Sequence, residues 1–233
     1  PAPAVGGAAV AALLAMCPDP SDVGAQIRAQ QTVFEWRKGG ADLSPNRASE
    51  VARLLSSLPG DPIRSGSTAH VSVVDRFGAA CAITLSAGYG SGVIPTGTGM
   101  WMNNALGEIE LVGDRSHLVV GERLNSNMAP TIARADDGTT VVIGSPGAER
   151  ITTAIAQTLG RLIQAPEDPA GAVAAPRVHV EISNEISVAH EPGAEIPPEL
   201  GIPSRDFDGI HMFFGGVGLA MRTASSTGSC LSR

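Results

Sequence analysis

A threonine stands at the head of one alternating seven-residue run, and a second such run follows at hairpin distance. Residues 68–74 read Thr-Ala-His-Val-Ser-Val-Val and residues 80–86 read Ala-Cys-Ala-Ile-Thr-Leu-Ser. Runs of this length and alternation, joined through Asp75-Arg76-Phe77-Gly78-Ala79, predict two antiparallel strands. A turn centred on Phe77 sets Val74 opposite Ala80 and Thr68 opposite Ser86. A slip of two residues brings Thr84 to that place instead, so either register puts a hydroxyl about 5 Å from Thr68. By itself this is also an ordinary Thr–Ser cross-strand pair.

What precedes Thr68 gives the pair its interest. Residues 59–67, Pro-Gly-Asp-Pro-Ile-Arg-Ser-Gly-Ser, form a linker in which a chain can be cut. Cleavage between Ser67 and Thr68 would create an N-terminal threonine, which carries a hydroxyl nucleophile and its own general base, the freed α-amine. An unperturbed α-amine titrates at about 7.7–8.0, close to neutrality. The residues therefore suggest an enzyme that processes itself and then attacks an amide.

The bulk chemistry limits the alternatives. With 233 residues, 43% of them hydrophobic and 17% charged, the chain can bury a core. A formal net charge of −7 argues against nucleic acid and anionic membrane as partners, since both require basic patches. No apolar run reaches the ~18 residues of a membrane span. Residues 1–7, Pro-Ala-Pro-Ala-Val-Gly-Gly, lack the basic start of a signal peptide, and they look like the middle of a protein; localisation stays open. Cys17, Cys81 and Cys230 are odd in number, widely spaced and without a CxxC or His pair, so they read as ordinary thiols and no metal or cofactor is expected.

Along the rest of the chain, helices are expected at Ala8–Met16, from Asp22 to about Arg37, from Ser44-Pro45 to about Leu58, and over about Glu149–Ile163. Short strands are expected at Met100–Met102, Leu118–Val120, Thr139–Gly144, Val178–Ile182, Ile186–His190, Ile210–Phe214 and Val217–Met221, with a short helix from Pro197 to Leu200. Residues 88–99 are a glycine-rich loop. The order predicts an α/β mixture with largely antiparallel pairing.

The run Thr68-Ala69-His70-Val71-Ser72-Val73-Val74-Asp75 resembles the start of the small subunit in the gamma-glutamyltranspeptidase family of N-terminal-nucleophile hydrolases. The resemblance continues through Tyr89-Gly90-Ser91-Gly92, Asn103-Asn104, Met128-Ala129-Pro130-Thr131-Ile132, Gly144-Ser145-Pro146-Gly147 with Arg150-Ile151, and Ala175-Pro176-Arg177-Val178-His179. Pro1-Ala2-Pro3 with Gly6-Gly7 resembles the end of the large subunit. Together these cover about residues 1–190.

The resemblance implies an α+β fold, a four-layer αββα sandwich, with residues 1–67 as the end of a large-subunit-like segment and 68–233 as the small-subunit-like catalytic segment. It implies that Thr68 attacks the carbonyl of Ser67, is released, and then takes an acyl group from a small-molecule amide or gamma-glutamyl donor and passes it to water or an amine. Ser86 aligns with the hydroxyl that supports the nucleophile, and Gly147 and Ala148 with the oxyanion hole, where the family usually has two glycines. Asn104, Glu108, Ser126 and Asn127 align with the substrate pocket, which departs from the family pattern at Ala105, Gly107, Glu108 and Asn127. The remaining large-subunit segment, from the same gene or a separate chain, is the implied partner. His70 falls on the same face as Thr68 and reads as a support for structure or processing; His117, His179, His190 and His211 receive no role. The same chemistry on a non-glutamyl acyl group, or an unprocessed binding subunit, are the alternatives.

Overall fold

The computed structural model describes residues 5–40, 68–88, 90–108, 119–121, 124, 126–182, 185–225 and 228–233. The expected helix from Ser44 to Leu58, the linker 59–67, Tyr89 and Leu118 lie outside the described residues. In chain order the elements are α1 (Val5–Met16), α2 (Val23–Gly40), β1 (Thr68–Val74), β2 (Ala80–Ser86), β3 (Thr131–Arg134), β4 (Thr140–Gly144), α3 (Ile151–Gln164), α4 (Pro169–Ala174), β5 (Val178–Ile182), β6 (Ile186–His190), β7 (Ser204–Asp206), β8 (Gly218–Arg222) and β9 (Gly228–Ser232). The α+β class follows directly.

Three sheets are present: the β1–β2 hairpin, a four-stranded sheet in the order β3-β4-β8-β9, and a three-stranded sheet β5-β6-β7. All pairs are antiparallel except β6 with β7. The hairpin packs face to face on β4 and β8, and α1 and α3 cover the other side of that sheet. β4 is therefore buried along its whole length, which explains why Thr140-Val141-Val142-Ile143 is a continuous run rather than an alternating one. Val141 and Ile143 meet Ile151, Ile155 and Leu159 of α3 and Val10 of α1 in one core cluster. Ile27, Val33 and Phe34 of α2 meet Val178, Val180 and Val188 of β5 and β6 in a second. Gln30 stitches the latter layers together, with its amide donating to the Val178 carbonyl (3.1 Å) and its oxygen accepting from the Val180 N–H (2.7 Å).

The hairpin is amphipathic in the reverse of the usual sense. Thr68, His70, Ser72, Thr84 and Ser86 face the neighbouring sheet, whereas Ala69, Val71, Val73, Cys81, Ile83 and Leu85 face outward and are exposed. Among the described residues the β3-β4-β8-β9 sheet lies between the hairpin and helices α1 and α3, with β5-β6-β7 and α2 beside them; the outer face of the hairpin is where a fourth layer of an αββα sandwich belongs.

Two expected strands take other forms. Met100–Met102 is an irregular, exposed segment: Met102 exchanges hydrogen bonds with Ser91 and Val93, but Gly97 and Gly99 both adopt positive φ and break the ladder. Ile210–Phe214 contains a 3-10 turn over Met212–Phe214, capped by His211 Nδ1 accepting from the Phe213 N–H at 3.0 Å. That turn lets Phe213 and Phe214 both reach the Phe207 ring, at 5.1 and 5.0 Å between centroids, which a strand's alternation would forbid. Val119 and Val120 also carry no strand.

Candidate active site

The hairpin has the register expected from its turn: Val74 faces Ala80 and Thr68 faces Ser86. Thr68 Oγ1 donates to Ser86 Oγ at 3.0 Å, and the Gly88 N–H donates to the same oxygen at 3.1 Å. The Ser86 hydroxyl is thus held from both sides at the mouth of the β2–loop junction.

Where this end of the hairpin lies follows from its anchors. The turn end is fixed over the start of β4: Arg134, which pairs with Thr140, donates to the Gly78 carbonyl (3.0 Å), and Arg222, also opposite Thr140, donates to the Arg76 carbonyl (3.1 Å). Further along, the His70 ring lies on Gly144, the last residue of β4. Thr68 and Ser86 therefore project past Gly144, toward the chain that runs from Ser145 into Ala148.

That chain is unusual. Gly147 has φ 133° and Ala148 has φ 52°, the latter being the one non-glycine residue with positive φ among those described. A 3-10 turn over Ala148–Arg150 then leads directly into α3. The first N–H groups of such a segment have no carbonyl within it to bind, so they are available to a developing negative charge. A side chain on Gly147 would stand 2.7 Å from Gly215 Cα, so here two backbones touch and only glycine fits. Gly215 is held in turn by Arg177, whose buried guanidinium donates to its carbonyl at 2.6 Å. Burial, reinforced by neighbouring Arg233 and opposed by Glu191, brings the Arg177 guanidinium down to about 10. Glu191, itself buried, accepts from the Arg177 backbone N–H (2.9 Å) and pairs with Arg233 (2.5 Å). The sequence assigns no role to this support: Arg177 stands in the Ala175–His179 run that resembles the family, whereas Glu191 and Arg233 lie beyond residue 190, where the resemblance is weak, and the glycine cluster Gly215-Gly216-Val217-Gly218 is a further visible signal.

Asn104 and Glu108 join the Ser86 end of the hairpin. The Asn104 N–H donates to the Ala87 carbonyl at 3.2 Å. A side chain on Gly88 would stand 2.5 Å from Glu108 Oε1 and 2.8 Å from Asn104 Oδ1, so both carboxyl and carboxamide lean over the Gly88 backbone, which is also left-handed at φ 60°. Ser126 and Asn127 are not brought to Thr68 by any contact among the described residues. Ser126 Oγ accepts from the Met128 N–H (3.1 Å), and its carbonyl receives the Gly6 N–H of α1 (3.0 Å). Asn127 is 2% exposed, and neither polar atom of its carboxamide has a hydrogen-bond partner among the described residues. Ser67 lies outside the described residues. Among the described residues no cluster of three or more His, Cys, Asp or Glu is placed to hold a metal, and no helix is long and apolar enough to cross a membrane.

A family profile described as gamma-glutamyltranspeptidase matches residues 25–228. This chain belongs to the gamma-glutamyltranspeptidase family. A glutathione hydrolase proenzyme from a Pseudomonas species is 34% identical over 152 residues, 60% of this chain and 26% of that protein. Its Escherichia coli namesake is 34% identical over 131 residues, 51% of this chain and 23% of that protein. The chain thus spans about a quarter of the length of these curated relatives. A gamma-glutamyltranspeptidase from Pseudomonas nitroreducens, complexed with L-DON, superposes with a TM-score of 0.57 at 26% identity, covering 70% of this chain and 93% of that one. A Helicobacter pylori gamma-glutamyltranspeptidase superposes equally well, at 24% identity, and shares the fold. The N-terminal-nucleophile hydrolase fold expected from the sequence is the fold of these structures.

Proposed function

We propose that this chain is the nucleophile-bearing part of a self-processing threonine hydrolase and acyltransferase, with Thr68 as nucleophile. The observation that carries this reading is the placement of the Thr68–Ser86 hydroxyl pair at the end of the sandwich where β4 gives way to the Gly147–Ala148 turn. In the first step Thr68 Oγ1 attacks the Ser67 carbonyl carbon, the Ser67–Thr68 C–N bond breaks, and the acyl group rests on oxygen as an ester. Water hydrolyses that ester, leaving the Ser67 carboxylate and a free Thr68 α-amine.

The mature reaction repeats the chemistry on an external amide. The α-amine takes the hydroxyl proton as Oγ1 attacks the substrate carbonyl. The N–H groups of Gly147 and Ala148 receive the oxyanion, an interaction worth about 3–4 kcal/mol per donor in comparable sites. Collapse expels the amine, which regains its proton from the α-ammonium. Water or an acceptor amine then takes the acyl group from Thr68. In this reading Asn104 and Glu108, which lean over Gly88 beside Ser86, orient a substrate ammonium, with Ser126 and Asn127 assigned to the same pocket by the family pattern. The gamma-glutamyl group is the first candidate acyl group. A non-glutamyl acyl group is the second, supported by the replaced polar positions Ala105 and Gly107. In this reading residues 1–67 end the segment before the cleavage point, 68–233 form the catalytic segment, and the remainder of a longer protein completes the site.

Intact mass under denaturing conditions, with N-terminal sequencing, tests the proposal. A fragment beginning Thr68-Ala69-His70 is expected, and Thr68→Ala protein stays whole. A wild-type chain that folds, binds a gamma-glutamyl ligand and is never cut would favour the binding-subunit reading instead.

A further inference from the structure

His70 is engaged at both ring nitrogens. Nδ1 lies 2.8 Å from Thr84 Oγ1 and Nε2 lies 2.7 Å from Ser72 Oγ. Ser72 Oγ in turn donates to the Gly218 carbonyl at 3.1 Å. A hydroxyl has one proton; with that proton on Gly218, Ser72 can only accept from the ring. Nε2 therefore carries the hydrogen, and Nδ1 accepts from Thr84. The hydrogen bonds run one way, from Thr84 on β2 through His70 and Ser72 on β1 to the backbone of β8 in the next sheet.

The ring rests on bare backbone. Gly144 and Gly218 face each other across β4 and β8. A methyl group on Gly144 would stand 2.2–2.6 Å from three ring atoms, and one on Gly218 would stand 3.4 Å from Cδ2. Neither glycine has a positive φ; at Gly144 space and not backbone conformation demands glycine, whereas a methyl group on Gly218 would only reach ordinary contact with the ring. The pair forms a socket and the imidazole fills it.

We propose that His70 is a positioning residue: seated in the Gly144–Gly218 socket and hydrogen-bonded in the Nε2–H form, it fixes the nucleophile strand β1 against the strand that carries the Gly147–Ala148 turn. The inference rests on the reading of Thr68 as nucleophile and of that turn as the oxyanion site. Its logic is mechanical. β1 and β4 belong to different sheets, with no backbone ladder between them. Packed sheet faces lie about 10 Å apart; Arg134 and Arg222 hold the turn end of the hairpin, and the His70 socket is what holds its other, Thr68 end. Thr68 lies two residues from His70 and Gly147 lies three from Gly144, so both halves of the reaction hang from one socket. A misplacement of about 1 Å between reacting groups is enough to lose about 100-fold in rate.

Two measurements on the full chain test this. The first is a long-range proton–nitrogen NMR spectrum of histidine side chains near neutral pH, with His70→Gln to assign the signal. The Nε2–H neutral form is expected; the Nδ1–H form overturns the proposal. The second follows the Gly147 and Ala148 amide resonances and the rate at which the Thr68 terminus appears in His70→Ala and His70→Gln. Glutamine retains a donor toward Ser72; alanine does not. His70→Ala is expected to shift both amides and to slow cleavage on the order of 100-fold, and His70→Gln to recover most of each. Unchanged amides and an unchanged rate in a folded His70→Ala protein overturn it. If the wild-type chain never cleaves, the nucleophile reading fails on its own, while the tautomer and the amide shifts still decide whether His70 keys β1 to β4.

Discussion

Ala148 is held at φ 52°, where a residue with a Cβ is disfavoured by roughly 1–2 kcal/mol. Ala148→Gly removes that strain but gives the unfolded chain back about 0.5–1 kcal/mol of entropy. The expected outcome in urea unfolding is a change between zero and a gain of about 1 kcal/mol. Ala148→Val, β-branched at positive φ, is expected to lose about 2 kcal/mol. A normal helix start would give the opposite order for glycine, so the pair of variants reads the backbone directly. His70 supplies a second residue-scale prediction. Burial pushes its imidazole below the ordinary 6.5. As pH falls through 6.5 the unfolded chain gains the proton first, so stability falls from there toward the lowered folded value and is flat above. The drop in urea midpoint between about pH 7.5 and about pH 5.5 is expected to be smaller in His70→Gln than in wild type. An equal drop in both proteins would show that His70 titrates normally.

At the scale of elements, what the sequence disclosed was what local pattern controls. The β1–β2 hairpin was legible to the residue because alternation and a tight turn leave few registers. β5, β6 and α3 were legible for similar reasons, and the Thr68–Ser86 pair followed from register alone. β7 was not, because Ser204-Arg205-Asp206 has no apolar residue; it is held by its neighbours, through His190 with Asp206 (2.6 Å) and Arg205 with Glu181 (3.1 Å). β9 was not legible either, because Gly228-Ser229-Cys230-Leu231-Ser232 carries little apolar alternation and is held as the hairpin partner of β8; the Phe207–Phe213–Phe214 cluster depends on a local turn and on the distant His179 and Arg150. The consecutive glycines of α1 show how context divides one residue type. A side chain on Gly6 would stand 2.6 Å from the Asn127 carbonyl oxygen, whereas one on Gly7 meets nothing within 4 Å. Gly7→Ala is expected to raise stability by about 0.5 kcal/mol through helix propensity. Gly6→Ala is expected to lower it by about 1–3 kcal/mol, because backbone must move. Thermal melts of the two variants suffice; equal shifts would mean that α1 does not dock on residues 126–128.

At the scale of the whole molecule, the reversed hairpin is the strongest statement the chain makes about assembly. Its polar face is turned inward on β4 and β8, and its apolar face stands exposed among the described residues. Val71 is 54% exposed and Leu85 66%, and the nearby glycine-rich segment adds Trp101 at 64%. A patch of this kind on a lone chain promotes association or requires a partner layer. In the proposed reading the remaining large-subunit segment is that layer, the chain spanning only about a quarter of the length of its curated relatives. The expected outcome is that the chain expressed alone self-associates and binds a hydrophobic dye, and that Val71→Ser with Leu85→Ser suppresses both. The same double variant, expressed as part of the complete protein, is expected to lose its hold on the preceding segment and to cleave poorly at Ser67–Thr68. Light scattering and intact mass read the two effects separately. A double variant that still assembles and cleaves normally would mean the outer face is not the seat of the fourth layer, and that the hairpin's reversed polarity serves the site alone.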